Sequence, residues 1–230
     1  MSNLFPPLWR RGVYEAIYRR REARRFLTRP VSDKVLKRIL RAAQQAGSVG
    51  VTQPWNFILI RKLEIKHRVK QDVLCARRDA GPASWDESHR QDQILAVEAI
   101  EQAPINLVVT CDRSRHPHVP GDQAVIDPDL FVTCCAIQNL WLAARAEGVG
   151  VGWLNNLDPS AIAPILGLPA GVMVVAYLCM GYVGRFSDAP PLGPGGGESR
   201  LSLESVLFYD RWGNRSPGDT PMSAPGDASA

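Results

Sequence analysis

The stretch RRREARRF, Arg19 to Phe26, crowds arginines around a single carboxylate. A guanidinium is a planar fork of N–H donors that matches phosphate or carboxylate oxygens. Arg20, Arg21 and Arg24 lie where a helix gives way to an extended segment, so they are candidates to converge on a phosphate, with Glu22 pinned among them. A solvated basic surface is the other reading of the same residues. A second stretch, GSVGVTQPWNFILI from Gly47 to Ile60, joins a loop of small residues to a strand. It reads either as a surface turn before a buried strand or as a loop lying against a flat ligand. On the second reading small side chains let backbone N–H groups approach the ligand edge, Pro54 fixes the turn, and Trp55 anchors it in the core.

Other motifs lead nowhere as convincing. His116 and His118 form an HxH near Asp122, but no cysteine or carboxylate stands at a ligand spacing, and no metal is assigned. The five cysteines form no CxxC pair, and their odd number argues for reduced thiols. GVGVGW has the wrong spacing for a dinucleotide fingerprint and precedes no helix; GPGGGE opens no helix either. There is no Walker A loop, no GxSxG elbow and no paired-carboxylate motif.

The elements that must position these residues follow from periodicity and punctuation. Helical spacing runs from Val13 to Arg21. Ser32 caps a second helix with the apolar face Val35, Leu36, Ile39, Leu40 and Ala43, ending at Gly47. Trp55 to Ile60 and Ile105 to Cys111 read as strands, separated by helices from Glu64 to Arg77 and Asp86 to Ala103. Pro128 suits the first turn of a long helix from Leu130 to Glu147, which Gly148 ends. VGVGW is a third strand, Asp158-Pro159 opens a short helix, and Val172 to Tyr182 is a buried fourth strand. APPLGPGGGES is a linker, SRLSLESVLF an extended arm, and the chain from 214 to 230 has the composition of a disordered tail.

Composition bounds the function class. At 230 residues, 45% of them hydrophobic and 22% charged, the chain is an ordinary globular domain. No apolar run is long enough for a membrane span and the N-terminus lacks a signal-peptide layout, which places the protein in the cytoplasm. The net charge of +4 hides an asymmetry: residues 1–41 carry +9 and the rest −5. Positive charge gathered at one end suits an anion site; no phosphate-reading motif or aromatic interleaving supports nucleic acid as the partner.

Arg20-Arg21-Glu22-Ala23-Arg24-Arg25-Phe26, then a helix, then Ser48 and Gln53-Pro54-Trp55-Asn56-Phe57, resembles the opening of the nitroreductase superfamily of FMN proteins. Within it the chain is similar to the 5,6-dimethylbenzimidazole synthases, which consume FMN to make the lower ligand of vitamin B12. SVG-x-x-QPWNF, AIQNLWLAARAEGVGVGW, LGLP and RL-x-LE carry that likeness, which covers about Val13 to Gly213. The resemblance implies an α+β sandwich: a mixed, mostly antiparallel sheet with helices on both faces, in an intertwined homodimer. It divides the chain into a tail (1–12), an FMN-binding domain (13–213) with a C-terminal arm from about 198, and the tail from 214. FMN would lie at the dimer interface, with Arg20, Arg21, Arg24 and Arg200 as phosphate and ribityl contacts. Glu22, Ala23, Ser48, Gln53, Pro54 and Asn155 would complete the binding set, and Glu22 and Asn155 would be catalytic.

Those last two are also departures. The synthase pattern has aspartate where this chain has Glu22, and serine where it has Asn155; the family assigns both positions to breakdown of the flavin. Gly121-Asp122, Pro128-Asp129 and the glycine linker Gly193 to Gly197 depart as well. Three functions follow from the resemblance. One is an oxygen-dependent enzyme that fragments reduced FMN, supplied by a separate flavin reductase or by NAD(P)H. Another is an NAD(P)H-dependent reductase of nitro, quinone or enone substrates that keeps its FMN. The third is a non-catalytic FMN-binding module.

Overall fold

Ile105–Asp112 is buried along seven of its eight residues, so both faces of this strand must be covered. The computed structural model describes residues 3–48, 52–79, 87–115, 127–154, 157–187 and 201–215. In chain order the elements are α1 (Pro7–Arg19), α2 (Asp33–Gln44), β1 (Trp55–Ile60), α3 (Leu63–Asp79), α4 (Glu87–Gln102), β2 (Ile105–Asp112), a 3-10 turn (Arg113–Arg115), α5 (Pro128–Ala146), β3 (Val149–Trp153), α6 (Pro159–Leu166), β4 (Val172–Tyr182) and α7 (Leu203–Val206). The chain divides into two compact units, Met1–Asp188 and Ala189–Ala230.

In the first unit the strands form an antiparallel sheet in the order β1-β2-β4-β3. Side chains alternate across β2. Ile105, Leu107 and Val109 join Leu36, Ile39 and Ala43 of α2 and Ile137 and Leu140 of α5 on one face. Val108 joins Val69 and Val73 of α3, Val97 and Ile100 of α4 and Ile162 of α6 on the other. The expected α+β sandwich, with helices on both faces of the sheet, is therefore the observed one. An antiparallel sheet covered on both sides reads in sequence as continuous apolar runs, the pattern that marked β2 and β4.

Local chemistry explains the boundaries. The Ser32 hydroxyl accepts from the Val35 N–H at the start of α2, and the Asp158 carboxylate accepts from Ser160 N–H at α6. Gly148, at φ +73°, provides the left-handed turn between α5 and β3.

Two expectations need correction. The first helix spans Pro7–Arg19 and not Val13 to Arg21, because Pro7 at the first helical position starts it early and Arg20 is already extended. Residues 7–12 are thus helical, while Arg20 and Arg21 follow the helix. The C-terminal arm is not wholly extended either: Ser202 caps the helical turn Leu203–Val206, its hydroxyl accepting from Ser205 N–H. Within that second unit Phe208 and Trp212 rings lie 4.4 Å apart, and Arg215 sits 4.6 Å over Phe208.

Candidate active site

After α1 the chain runs alongside β3. Ala23 N–H donates to Val151 O at 2.9 Å, Leu27 N–H donates to Tyr182 O at 2.8 Å, and Glu22 pairs in parallel with Val151. Two glycines of GVGVGW, Gly150 and Gly152, make this approach possible. A Cβ at Gly150 would stand 2.8 Å from Ala23 Cβ, and one at Gly152 would overlap the Ala23 carbonyl oxygen. They are packing glycines, which is why they lack a nucleotide fingerprint's spacing. Gly152→Ala is accordingly expected to cost about 1–3 kcal/mol of stability by overpacking, read from urea unfolding, with wild-type stability as the contrary result.

This docking fixes Glu22. Its Oε1 accepts from Trp153 N–H at 3.0 Å and from Arg24 Nη1 at 2.5 Å. Arg24 is held in turn by Asp92 of α4: Nε donates to Oδ1 at 3.1 Å and Nη2 to Oδ2 at 3.1 Å, while Nη1 also reaches Trp153 O at 3.2 Å. Burial opposes the charge on Arg24, but hydrogen bonding and attraction to Asp92 and Glu22 outweigh it and raise the guanidinium pKa above its ordinary value.

Arg20 and Arg21 leave in other directions. Arg20 stacks 4.7 Å over the Trp141 ring, which lies 6.2 Å from Trp153. Arg21 Nη1 donates to the carbonyls of Tyr18 and Arg20, at 2.8 and 2.7 Å, against the last turn of α1. The structure thus joins Glu22, Ala23 and Arg24 in one cluster at the end of β3, with Arg20 beside it. Asn155 and Arg200 lie outside the described residues, as do His116, His118, Asp122 and the linker Gly193 to Gly197.

The second stretch forms a separate group. Ser48 is half-buried, Pro54 is buried, and Trp55 belongs to the main core at 5% exposure. Gln53 has φ +43°, a left-handed conformation uncommon for a residue with a side chain. Two residues distant in sequence, Asp112 and Arg115, hold it. Asp112 N–H donates to Pro54 O at 2.8 Å, and Arg115 Nη1 donates to Gln53 O at 2.9 Å and to Trp55 O at 3.3 Å. Arg115 Nη2 also donates to the Asn56 side-chain oxygen, and Asp112 pairs with Arg115 Nε at 3.3 Å. Hydrogen bonds from Ser114, with Arg115 nearby, hold the Asp112 carboxyl below the usual range. The loop borders an open groove of about 560 Å³ lined by Lys37, Arg41, Gln53, Asn56 and Arg115 among others. Arg20 to Arg24 do not line it. Asp92 and Arg115 lie far in sequence from the groups they hold; the pairing of Trp55 with Cys111 that brings Arg115 to the loop is a matter of sheet register.

Known proteins agree with this architecture. The model of the nitroreductase family matches residues 17–182. A 5,6-dimethylbenzimidazole synthase of Rhodospirillum rubrum is 34% identical over 86% of this chain and 94% of that protein. A putative NADH dehydrogenase/NAD(P)H nitroreductase of Archaeoglobus fulgidus is 29% identical over 72% of this chain and 82% of its own length. The solved NADPH:FMN oxidoreductase of Vibrio harveyi, complexed with NAD+, superposes with a TM-score of 0.66 at 22% identity, covering 87% of this chain and 78% of that one.

Proposed function

This chain belongs to the nitroreductase family, and from that premise we propose that it is a flavin-dependent oxidoreductase of the 5,6-dimethylbenzimidazole synthase kind, consuming reduced FMN with O2. The donor set suits that ligand. The glycine-lined end of β3 supplies flat backbone beside a fixed carboxylate, and Arg20 and Arg21, which rest on Trp141 and on the carbonyls at the end of α1, would turn to the phosphate. The observation that carries the reading is the geometry of Glu22, whose Oε1 is held by Trp153 N–H and Arg24.

Reduced FMN, when bound, supplies the electrons that reduce O2 and the ring atoms of the product. The chain's own residues do the rest. Arg20 and Arg21 would hold the phosphate and ribityl chain; Arg200 is a further contact on the family resemblance alone. Glu22 Oε2, which has no hydrogen-bond donor among the described residues, accepts a proton from the ribityl carbon next to the ring. Asn155, two residues beyond Trp153 in sequence, would on the family resemblance contact the flavin edge.

The test starts from chemically reduced FMN and protein without air. After air is admitted, flavin absorbance should disappear and mass spectrometry should find dimethylbenzimidazole. Stable, merely reoxidised FMN would favour the second reading, a reductase that keeps its flavin and takes hydride from NAD(P)H onto a nitro, quinone or enone substrate. The Archaeoglobus relative's name supports that alternative.

The active unit on this reading is a homodimer. The groove beside the Gln53 loop takes no lining residue from Arg20 to Arg24, and a second copy would bring one protomer's loop to its partner's cluster. The exposed apolar face of α1, with Leu8, Trp9, Tyr14 and Tyr18 all more than half exposed, and Phe131 on α5, suit burial in such an interface. Light scattering at micromolar concentration is expected to give twice the chain mass of 25.3 kDa; a monomer that still binds FMN would refute it.

A further inference from the structure

Arg24 has most of its donors committed to the protein itself. Asp92 takes Nε and Nη2 side by side, and Nη1 serves both Glu22 Oε1 and the Trp153 carbonyl. Four of the five N–H groups of a guanidinium are used in this way. The helix that carries Asp92 is shaped for the arrangement. Asp92, Ala96 and Ala99 recur at the spacing of one helix face, both alanines are buried, and with Ala23 and Arg24 they line one narrow gap beside Gly152 and Trp153. The charge balance points the same way: two carboxylates already flank the one guanidinium, so Arg24 has no unneutralised charge to offer a phosphate.

We propose that Asp92 is a positioning residue: it locks Arg24 in the rotamer that aims Glu22 at the end of β3, so that Arg24 serves this carboxylate and not the flavin phosphate. The part concerning Glu22 in turnover rests on the proposed function; the part concerning Arg24 and phosphate does not. Without Asp92, the long Arg24 side chain loses its two-point anchor and samples other rotamers. Glu22 then keeps Trp153 N–H as its fixed donor and swings about it.

The test uses the full chain with Asp92→Asn, Asp92→Glu, Arg24→Gln, Glu22→Gln and the Asp92→Asn/Glu22→Gln double variant. Three readouts apply. In urea unfolding the double variant should depart from the product of the two single effects by about threefold or more in the unfolding constant, as linked residues do; independent effects would overturn the proposal. By flavin fluorescence, Arg24→Gln should weaken FMN and riboflavin by the same factor and Asp92→Asn should leave their ratio unchanged. A selective loss of FMN in Arg24→Gln by about tenfold, the size of a lost charge-assisted bond to phosphate, or a selective gain in Asp92→Asn, would overturn it. In the air-admission assay Asp92→Asn should slow flavin loss by about tenfold or more, the size expected of a misplaced catalytic group, and Asp92→Glu should recover most of the rate. A full rate in Asp92→Asn would overturn the role in turnover. If the wild-type protein consumes no flavin, the proposed function falls, while the unfolding cycle and the affinity ratios still decide whether Asp92 and Arg24 position Glu22.

Discussion

Replacing Glu22 with glutamine is expected to slow flavin breakdown by about two to four orders of magnitude, the usual contribution of a positioned acid or base, while FMN affinity stays nearly unchanged. Glutamine keeps an oxygen that can accept from Trp153 N–H and Arg24, so the segment should stay docked on β3 while the proton acceptor is lost. If the protein were a reductase that keeps its flavin, Glu22 would only balance the arginines. Neutralising it would then tighten FMN and spare hydride transfer. The two outcomes are opposite, and flavin absorbance after air admission with a parallel FMN titration separates them. Glutamate is also about 1.5 Å longer in reach than the aspartate usual at this position, and a misplacement of about 1 Å can cost on the order of a hundredfold. The double change Glu22→Asp with Asn155→Ser is therefore expected to retain or accelerate dimethylbenzimidazole formation. A double variant that binds FMN normally and forms none would count against the proposed function.

The second large effect concerns phosphate. Arg21→Ala and Arg200→Ala are each expected to weaken FMN by about 1.5–3 kcal/mol, roughly ten- to hundredfold, because a charge-assisted hydrogen bond to phosphate is lost. Riboflavin has no phosphate and should lose much less. That control matters for Arg21, whose Nη1 donates to carbonyls at the end of α1. Its removal also loosens the last helical turn, an effect both ligands would feel. Equal losses would place the phosphate elsewhere.

Residue patterns disclosed the fold almost completely where backbone chemistry is local. The Ser32 and Asp158 caps and the turn at Gly148 rest on neighbours within a few residues, and β1 and β4 show as apolar runs in their own residues. The first helix begins before its apolar pattern does, because Pro7 at the first helical position determines the start. The site was legible as a set of residue types but not as an arrangement. RRREARRF suggested arginines converging on one anion. In the folded chain Arg24 turns to Glu22 and Asp92, Arg20 to Trp141, and Arg21 back onto α1. Nothing within the motif specifies this, since Asp92 approaches from a helix 68 residues later. Arg115 carries no local signal for the same reason: its hold on the Gln53 loop depends on the pairing of β1 with β2.

Gly150 and Gly152 have a consequence for anyone reshaping this enzyme by random mutagenesis. In a deep mutational scan both positions should tolerate almost no substitution, and an activity readout alone would rank them with acids and bases. They hold no proton and offer no side chain to a substrate; intolerance at 152 reports the closeness of two backbones, and at 150 the packing of the Val183 and Ala23 side chains. A screen for soluble expression beside the activity screen should expose the difference, because variants at 150 and 152 should fail both while Glu22→Gln fails only one. Libraries meant to move the carboxylate would then do best to leave the strand alone and vary Glu22, Arg24 and Asp92 together.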